Sequence, residues 1–172
     1  MKHTLTVLFT FFFIHSSLAQ SEVLVQKRLF QNEPQYAFVT SLERSDIKDK
    51  EIDKGWKEYL DKFNSKPDFN KDLQLTVAEE VEIENLASEP VTVYMRKSNL
   101  SDSQTEFVIW MQNKNGVFIG GESTTDVIPS ARQWVLEFPI SIKRKTITER
   151  LEENQDDLED LMDDKEDLTD DL

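Results

Sequence analysis

The chain contains no cysteine, and its only two histidines, His3 and His15, both fall within the first fifteen residues. That opening stretch, MKHTLTVLFTFFFIHSSLAQ, has a basic start at Lys2, an apolar run from Leu5 to Ile14, and small residues at Ser17 and Ala19. This is the layout of a secretory signal peptide, with cleavage most simply placed after Ala19. The apolar run is about half the ~20 residues a helix needs to span a bilayer, and no later segment comes near that length. The expectation is therefore an exported, periplasmic or secreted chain beginning near Gln20, with no membrane span after cleavage. The alternative is a retained N-terminal anchor. No cysteine is present near the cleavage point to carry a lipid.

Without residues 1–19 the protein has neither His nor Cys. No disulfide can hold it, so a packed core must, and the remaining length suffices for one domain. The commonest general base, thiol nucleophiles and the usual zinc ligands are missing as well. Carboxylates, Lys, Tyr and Ser remain, but no nucleophile and base arrangement can be assembled from them. The sequence indicates no catalytic residue, no metal site and no cofactor, and the expectation is a protein that is not an enzyme.

Basic residues are in deficit, 20 against 34 acidic ones, for a net charge of −14. The excess is concentrated at the end. From Ile147 onward 13 acidic residues face only Arg150 and Lys165. Nucleic-acid binding needs a basic footprint and is disfavoured.

What is present is an alternation of strand-like and helix-like segments. EVLVQKRL and YAFVTSL read as short strands, rich in β-branched and aromatic residues. Ser45 or Asp46 offers an N-cap for a helix whose Ile52, Trp56, Tyr59, Leu60 and Phe63 share one face. Gly55 within it costs about 1 kcal/mol relative to Ala, and close packing of a strand beside Trp56 is one reason to accept that cost. FNSKPDFNKD is turn-rich. LQLTVAEEVEIE, VTVYMRK, EFVIWMQ and GVFIGG then read as four successive strands, with NKNG at residues 113–116 as the strongest hairpin signal, since Asn and Gly adopt the positive φ angles that tight strand reversals require. Short links imply an antiparallel meander with one wet face, which fits charges alternating with Val77, Val81 and Ile83. A second helix begins between Asp126 and Ser130, and Pro139 either kinks or ends it.

The expected fold class is α+β: an antiparallel sheet of about five or six strands with one face covered by helices, plus a long acidic C-terminal helix. The expected division is a signal peptide over 1–19, an α+β domain over 20–141 and an acidic amphipathic helix, a candidate short coiled coil, over 142–172. The layout resembles helix-grip and TATA-binding-protein-like architectures in topology only. GWKEYLDKF, VTVYMRK, EFVIWMQ, GVFIGG and the acidic Leu-repeat end together resemble a group of small uncharacterised exported proteins of Gram-negative bacteria. The resemblance covers most of the chain after the signal. It implies an exported, non-enzymatic role and supplies no site residues.

Two sets of candidate site residues follow. The first is the helix seam Ile147, Leu151, Asn154, Leu158, Leu161, Lys165, Leu168 and Leu172, spaced alternately four and three apart. This heptad pattern marks an interface for a protein partner or a second copy. With Leu151 as position a, the e positions Thr148, Gln155, Met162 and Thr169 are uncharged, while the g positions are Arg150, Asp157, Asp164 and Asp171. Nine acidic pairs lie four apart along the same helix. Their repulsion, roughly 0.2 to 0.5 kcal/mol each, disfavours the helix in isolation. Weak, delocalised divalent-cation binding would relieve it, but the DxDxDG turn of a tight calcium loop is missing. A basic partner would relieve it too, as would a second copy running antiparallel about Leu158, which sets Lys143, Arg144 and Lys145 beside the other chain's acidic end. The second set is Trp56, Trp110 and Trp134, read either as core packing or as the lining of a small apolar-ligand site between sheet and helices. An exposed Trp110 would point to a binding surface.

Asn99-Leu100-Ser101 matches a glycosylation acceptor, a triplet common by chance. Glu79, Glu80, Glu82 and Glu84 read as a solvated strand face.

Overall fold

A computed structural model describes residues 22–44, 47–84, 86 and 89–170, and between 163 and 170 Lys165 is the one residue whose side chain is described. The signal peptide, its cleavage point, the cap candidates Ser45 and Asp46, the Leu168 side chain and Leu172 lie outside the described residues. Six strands and two α-helices follow in order: β1 (Leu24–Phe30), β2 (Glu33–Glu43), α1 (Asp49–Asp61), β3 (Asp68–Asn70), β4 (Leu75–Val81), β5 (Val91–Ser101), β6 (Gln104–Gln112) and α2 (Ile128–Asp170). The strands form one antiparallel sheet in the order β1-β2-β6-β5-β4-β3. The α+β class, the strand number and the long C-terminal helix are as the sequence predicts.

Strand period and helix period meet on one face of this sheet. Phe38 and Leu42 of β2, Phe107, Ile109 and Met111 of β6, and Val91, Val93 and Met95 of β5 are buried against Ile52, Trp56, Tyr59 and Leu60 of α1 and Ala131, Trp134, Val135, Phe138 and Ile142 of α2. Residues two apart on a strand share a face, whereas the helical positions recur three and four apart, so both patterns reach the same layer. α1 begins at Asp49, after Lys48. The Glu51 carboxylate accepts a hydrogen bond from the Lys48 backbone N–H at 2.8 Å, half of a capping box.

Four local expectations are corrected. GVFIGG does not join the sheet: Gly116 donates to the Asn113 carbonyl, and only an isolated bridge between Gln112 and Phe118 follows. Gly120 then takes φ +124°, where a Cβ would come within 2.8 Å of the Tyr36 Cβ, and the chain leaves the sheet. The meander is instead completed by β3, inside the segment read as a turn. In the NKNG turn only Gly116 has positive φ; Asn113 acts through its side-chain oxygen, which accepts from the backbone N–H groups of Asn115 and Val117 at 3.0 Å. Finally, β4 stops at Val81, where a register shift puts Glu80 at φ +55° and turns Val81 to the same face as Ala78.

Pro139 does not end α2, which runs through it, so the expected boundary between 141 and 142 falls inside one continuous helix. Proline leaves the Val135 carbonyl without its usual donor but keeps helical φ, and burial of Phe138 and Ile142 on either side holds the segment to the sheet.

Candidate functional site

α2 has two halves with different surroundings. Through Ile142 its inward side chains are buried; from Ile147 to Met162 every residue is exposed. The transition is made by two contacts with α1. Gly55 lies so close to α2 that a Cβ there would meet the Ile142 Cγ1 at 2.8 Å. The close neighbour of this glycine is thus the second helix, not a strand. One turn further, Lys145 Nζ donates to both oxygens of Glu58, at 2.6 and 2.7 Å. That hydrogen bond holds the Glu58 carboxyl below its ordinary pKa and raises the Lys145 ammonium above its own.

Beyond Lys145 the helix projects past the body. The seam side chains Ile147, Leu151, Leu158 and Leu161 are 67, 56, 58 and 66% exposed, and Met162 on the e flank is 63% exposed. Asn154 and Lys165 at the polar seam positions are exposed too. The structure therefore brings the described seam residues onto one face of one helix, and that face meets no part of this chain's sheet. A helix advances about 100° per residue, so Ile147 lies about 140° around the axis from buried Ile142. The seam points away from the body.

The three tryptophans are not brought together. Trp56 and Trp134 lie on the helix-covered side with ring centroids 6.1 Å apart. Phe138 sits 4.7 Å from Trp56, Tyr59 is 5.1 Å from Trp134, and Phe107 is 5.0 Å from Phe138, so rings fill this layer. The Tyr59 hydroxyl donates to the Trp134 carbonyl at 2.5 Å, and burial, with the Glu137 charge secondary, raises its pKa strongly.

Trp110 lies on the other face and is 0% exposed. No helix covers it. β2 pairs with β1 from Glu33 to Val39 but with β6 only from Phe38 to Glu43, which frees the β1–β2 tip to lean over the sheet. Gln31 and Asn32, at φ +49° and +69°, make that tip a two-residue reversal without glycine. In a flat sheet Phe30 on β1 and Tyr94 on β5 would stand about 14 Å apart, three strand spacings. Their ring centroids are 4.8 Å apart, with Trp110 at 5.6 Å and Phe118 at 4.9 Å from Phe30. The Arg96 guanidinium closes the remaining side, 5.3 Å from the Trp110 ring. Trp110 thus anchors a second small core instead of a binding surface.

Further along that face, toward Leu24 and Leu100, lies an open groove of about 570 Å³ with the Arg28–Glu106 ion pair, at 3.0 Å, on its floor. Sequence reasoning did not single it out, because it depends on the pairing of β1 with β2 and of β2 with β6. Glu79, Glu80, Glu82 and Glu84 are all exposed, and among the described residues no three His, Cys, Asp or Glu side chains are grouped to hold a metal ion. No helix among the described residues is long and apolar enough to cross a membrane. Comparison of the chain with protein-family models, with curated proteins and with solved structures gives no match.

Proposed function

We propose that the protein is an exported, non-enzymatic interaction or envelope-associated protein, periplasmic or secreted, that uses the acidic Leu-repeat half of α2 for self-association or docking. One observation carries this reading: the row of Ile147, Leu151, Leu158 and Leu161 stands in solvent on a helix that is otherwise densely charged. Apolar side chains at heptad spacing gain their stabilisation only against a facing helix or groove. An acidic segment that needed only solubility would have no use for a leucine every three or four residues. The ring-packed layer under α1 and α2 gives the small-ligand reading no comparable support.

Light scattering of the protein with and without residues 147–172, at two salt concentrations, tests the proposal. The expected result is a mass above the monomer, or a complex with a partner, that the truncation abolishes. A chain that stays monomeric at high concentration, and whose truncation changes neither mass nor partner binding, overturns it.

A further inference from the structure

The order of residues along the seam says what covers it. From Ile147 to Leu172 the eight positions read apolar, apolar, polar, apolar, apolar, polar, apolar, apolar, which is the same from either end. The point of symmetry lies between Glu159 and Asp160, one and a half residues beyond Leu158.

Resting on the reading that α2 carries the interaction, we infer that the occupant of the seam is a second copy of this chain, running antiparallel and centred on that point. Antiparallel helices pair an a position with a d position of the facing helix. In this register Leu158 faces the partner's Leu161, and Asn154 faces the partner's Lys165. By sequence spacing Leu151 is matched with the partner's Leu168. Every apolar position meets an apolar one, and the two polar positions meet each other, so an amide carbonyl is offered to each seam ammonium. A parallel, in-register pair would instead stack Lys165 on Lys165 inside the seam.

Charge on the helix supports the same orientation. Arg144 is exposed and falls at the seam position three residues before Ile147, with Lys143 flanking it. Lys145 is committed to Glu58, and half-buried Lys143 also borders the groove that Glu43 and Glu106 line, so Arg144 is the exposed cation of the three. In the antiparallel pair Arg144 and Lys143 sit beside the partner's acidic end. In a parallel pair, like ends meet. The helix from Ile147 to Asp170 is 24 residues, about 36 Å long, so the two bodies lie at opposite ends of the paired rod. The outward direction of the seam leaves room for the second helix from Ile147 to Met162, where every residue is exposed.

The chain has no cysteine, so engineered ones report cleanly. Leu151→Cys and Leu168→Cys proteins, distinguishable by a size tag, are oxidised separately and as a mixture. The inference expects a disulfide-linked dimer of one variant with the other in the mixture and little covalent dimer from either alone. Homodimers from each variant alone would establish a parallel pair and overturn the register while keeping the interaction reading. A monomeric mass with no disulfide in any sample would overturn the second copy as occupant, leaving docking onto a different protein to the truncation experiment. A second set needs no disulfide. Asn154→Lys alone should return the protein from twice the monomer mass to the monomer, and adding Lys165→Glu should restore the dimer, because residue 154 then faces an opposite charge. Failure of that restoration counts against the register. Both positions are solvent-exposed in the single chain and lie outside the packed core, and the far-ultraviolet circular dichroism of each variant checks that its helix is kept.

Discussion

Gly55 and Ile142 meet where the two helices pack together, and a Cβ on Gly55 would lie 2.8 Å from the Ile142 Cγ1 and 3.3 Å from its Cδ1. In an exposed helix, Gly→Ala gains about 1 kcal/mol. Here overpacking, typically about 1 to 3 kcal/mol, opposes that gain, and a β-branched side chain in a helix has little freedom to rotate away. Gly55→Ala is therefore expected to destabilise the protein in urea unfolding. Ile142→Ala alone should cost about 2 to 5 kcal/mol, but the double variant should unfold less easily than the sum of the two predicts. Strict additivity would show that close approach is not the reason for glycine at this position.

That contact also marks what the sequence could and could not say. The apolar run from Phe107 to Met111 marks a strand by its length and composition, and the helical stripe from Ile52 to Leu60 marks a helix; both are local, whereas burial of both faces of that strand is not. β3 was hidden because three residues, Asp68, Phe69 and Asn70, carry turn-forming side chains at both ends and pair only because β4 lies alongside. GVFIGG looked like a strand until Tyr36, far away in sequence, occupied the space beside Gly120. Enclosure of Trp110 by the tip of another hairpin is equally nonlocal. The seam was legible in full as a period, since a heptad is a local property, but its exposure depends on where α2 leaves the body.

The Glu58–Lys145 pair makes a prediction about pH. Glu58 has a lowered folded pKa, so its contribution is complete above the ordinary carboxylate value of 4.5 and is lost as pH falls through the folded value. Lys145 has a raised folded pKa, so its contribution is complete below the ordinary value of 10.5 and is lost as pH rises through the folded one. The tether is intact between those limits. Both side chains are more than one-third exposed, so solvent limits the effect to less than about 1 kcal/mol. Comparing the wild-type and Glu58→Gln unfolding curves, the difference should be constant from pH 5 to pH 10 and shrink outside that range. A difference that persists unchanged at pH 3 would mean the carboxylate charge is not involved.

Phe30 is the lid on the second core. Phe30→Ala removes the ring that touches Tyr94, Trp110 and Phe118 at once, and loss of a core phenylalanine costs about 3 to 5 kcal/mol. Phe30 lies near the end of a hairpin that can settle inward, so the lower end is expected. Quenching of tryptophan fluorescence by acrylamide should rise as Trp110 becomes accessible, while Trp56 and Trp134 under the helices stay protected. No change in quenching would show that β1 is not what shields Trp110.

Removing residues 147–172 should leave the midpoint of thermal unfolding of the dilute protein within about 2 °C, because no described side chain from Ile147 onward is buried in the body. Circular dichroism at 222 nm should fall in proportion to the lost helix. The buried side chains of α2 end with Ile142, so truncation before Ile142 is expected to behave quite differently and lower the midpoint by several degrees. A large loss from the shorter deletion would reveal a contact between the acidic half and the body in solution.

Salt separates the two forces acting on the exposed helix. Nine acidic pairs spaced four apart repel by about 2 to 4 kcal/mol in total when unscreened, and a second acidic helix adds to that repulsion. Leucine burial in the seam does not depend on screening, whereas the Debye length shrinks from about 30 Å at 0.01 M to about 10 Å at 0.1 M salt. Raising sodium chloride over that range should therefore increase both the helix signal and the assembly mass, since repulsion weakens while burial stays. The end contacts of Arg144 and Lys143 with the partner's acids weaken too, but two cations are outweighed by the 13 acids on each chain. Assembly that falls apart with added salt would mean that attraction between opposite charges, not the seam of leucines, holds the helices together.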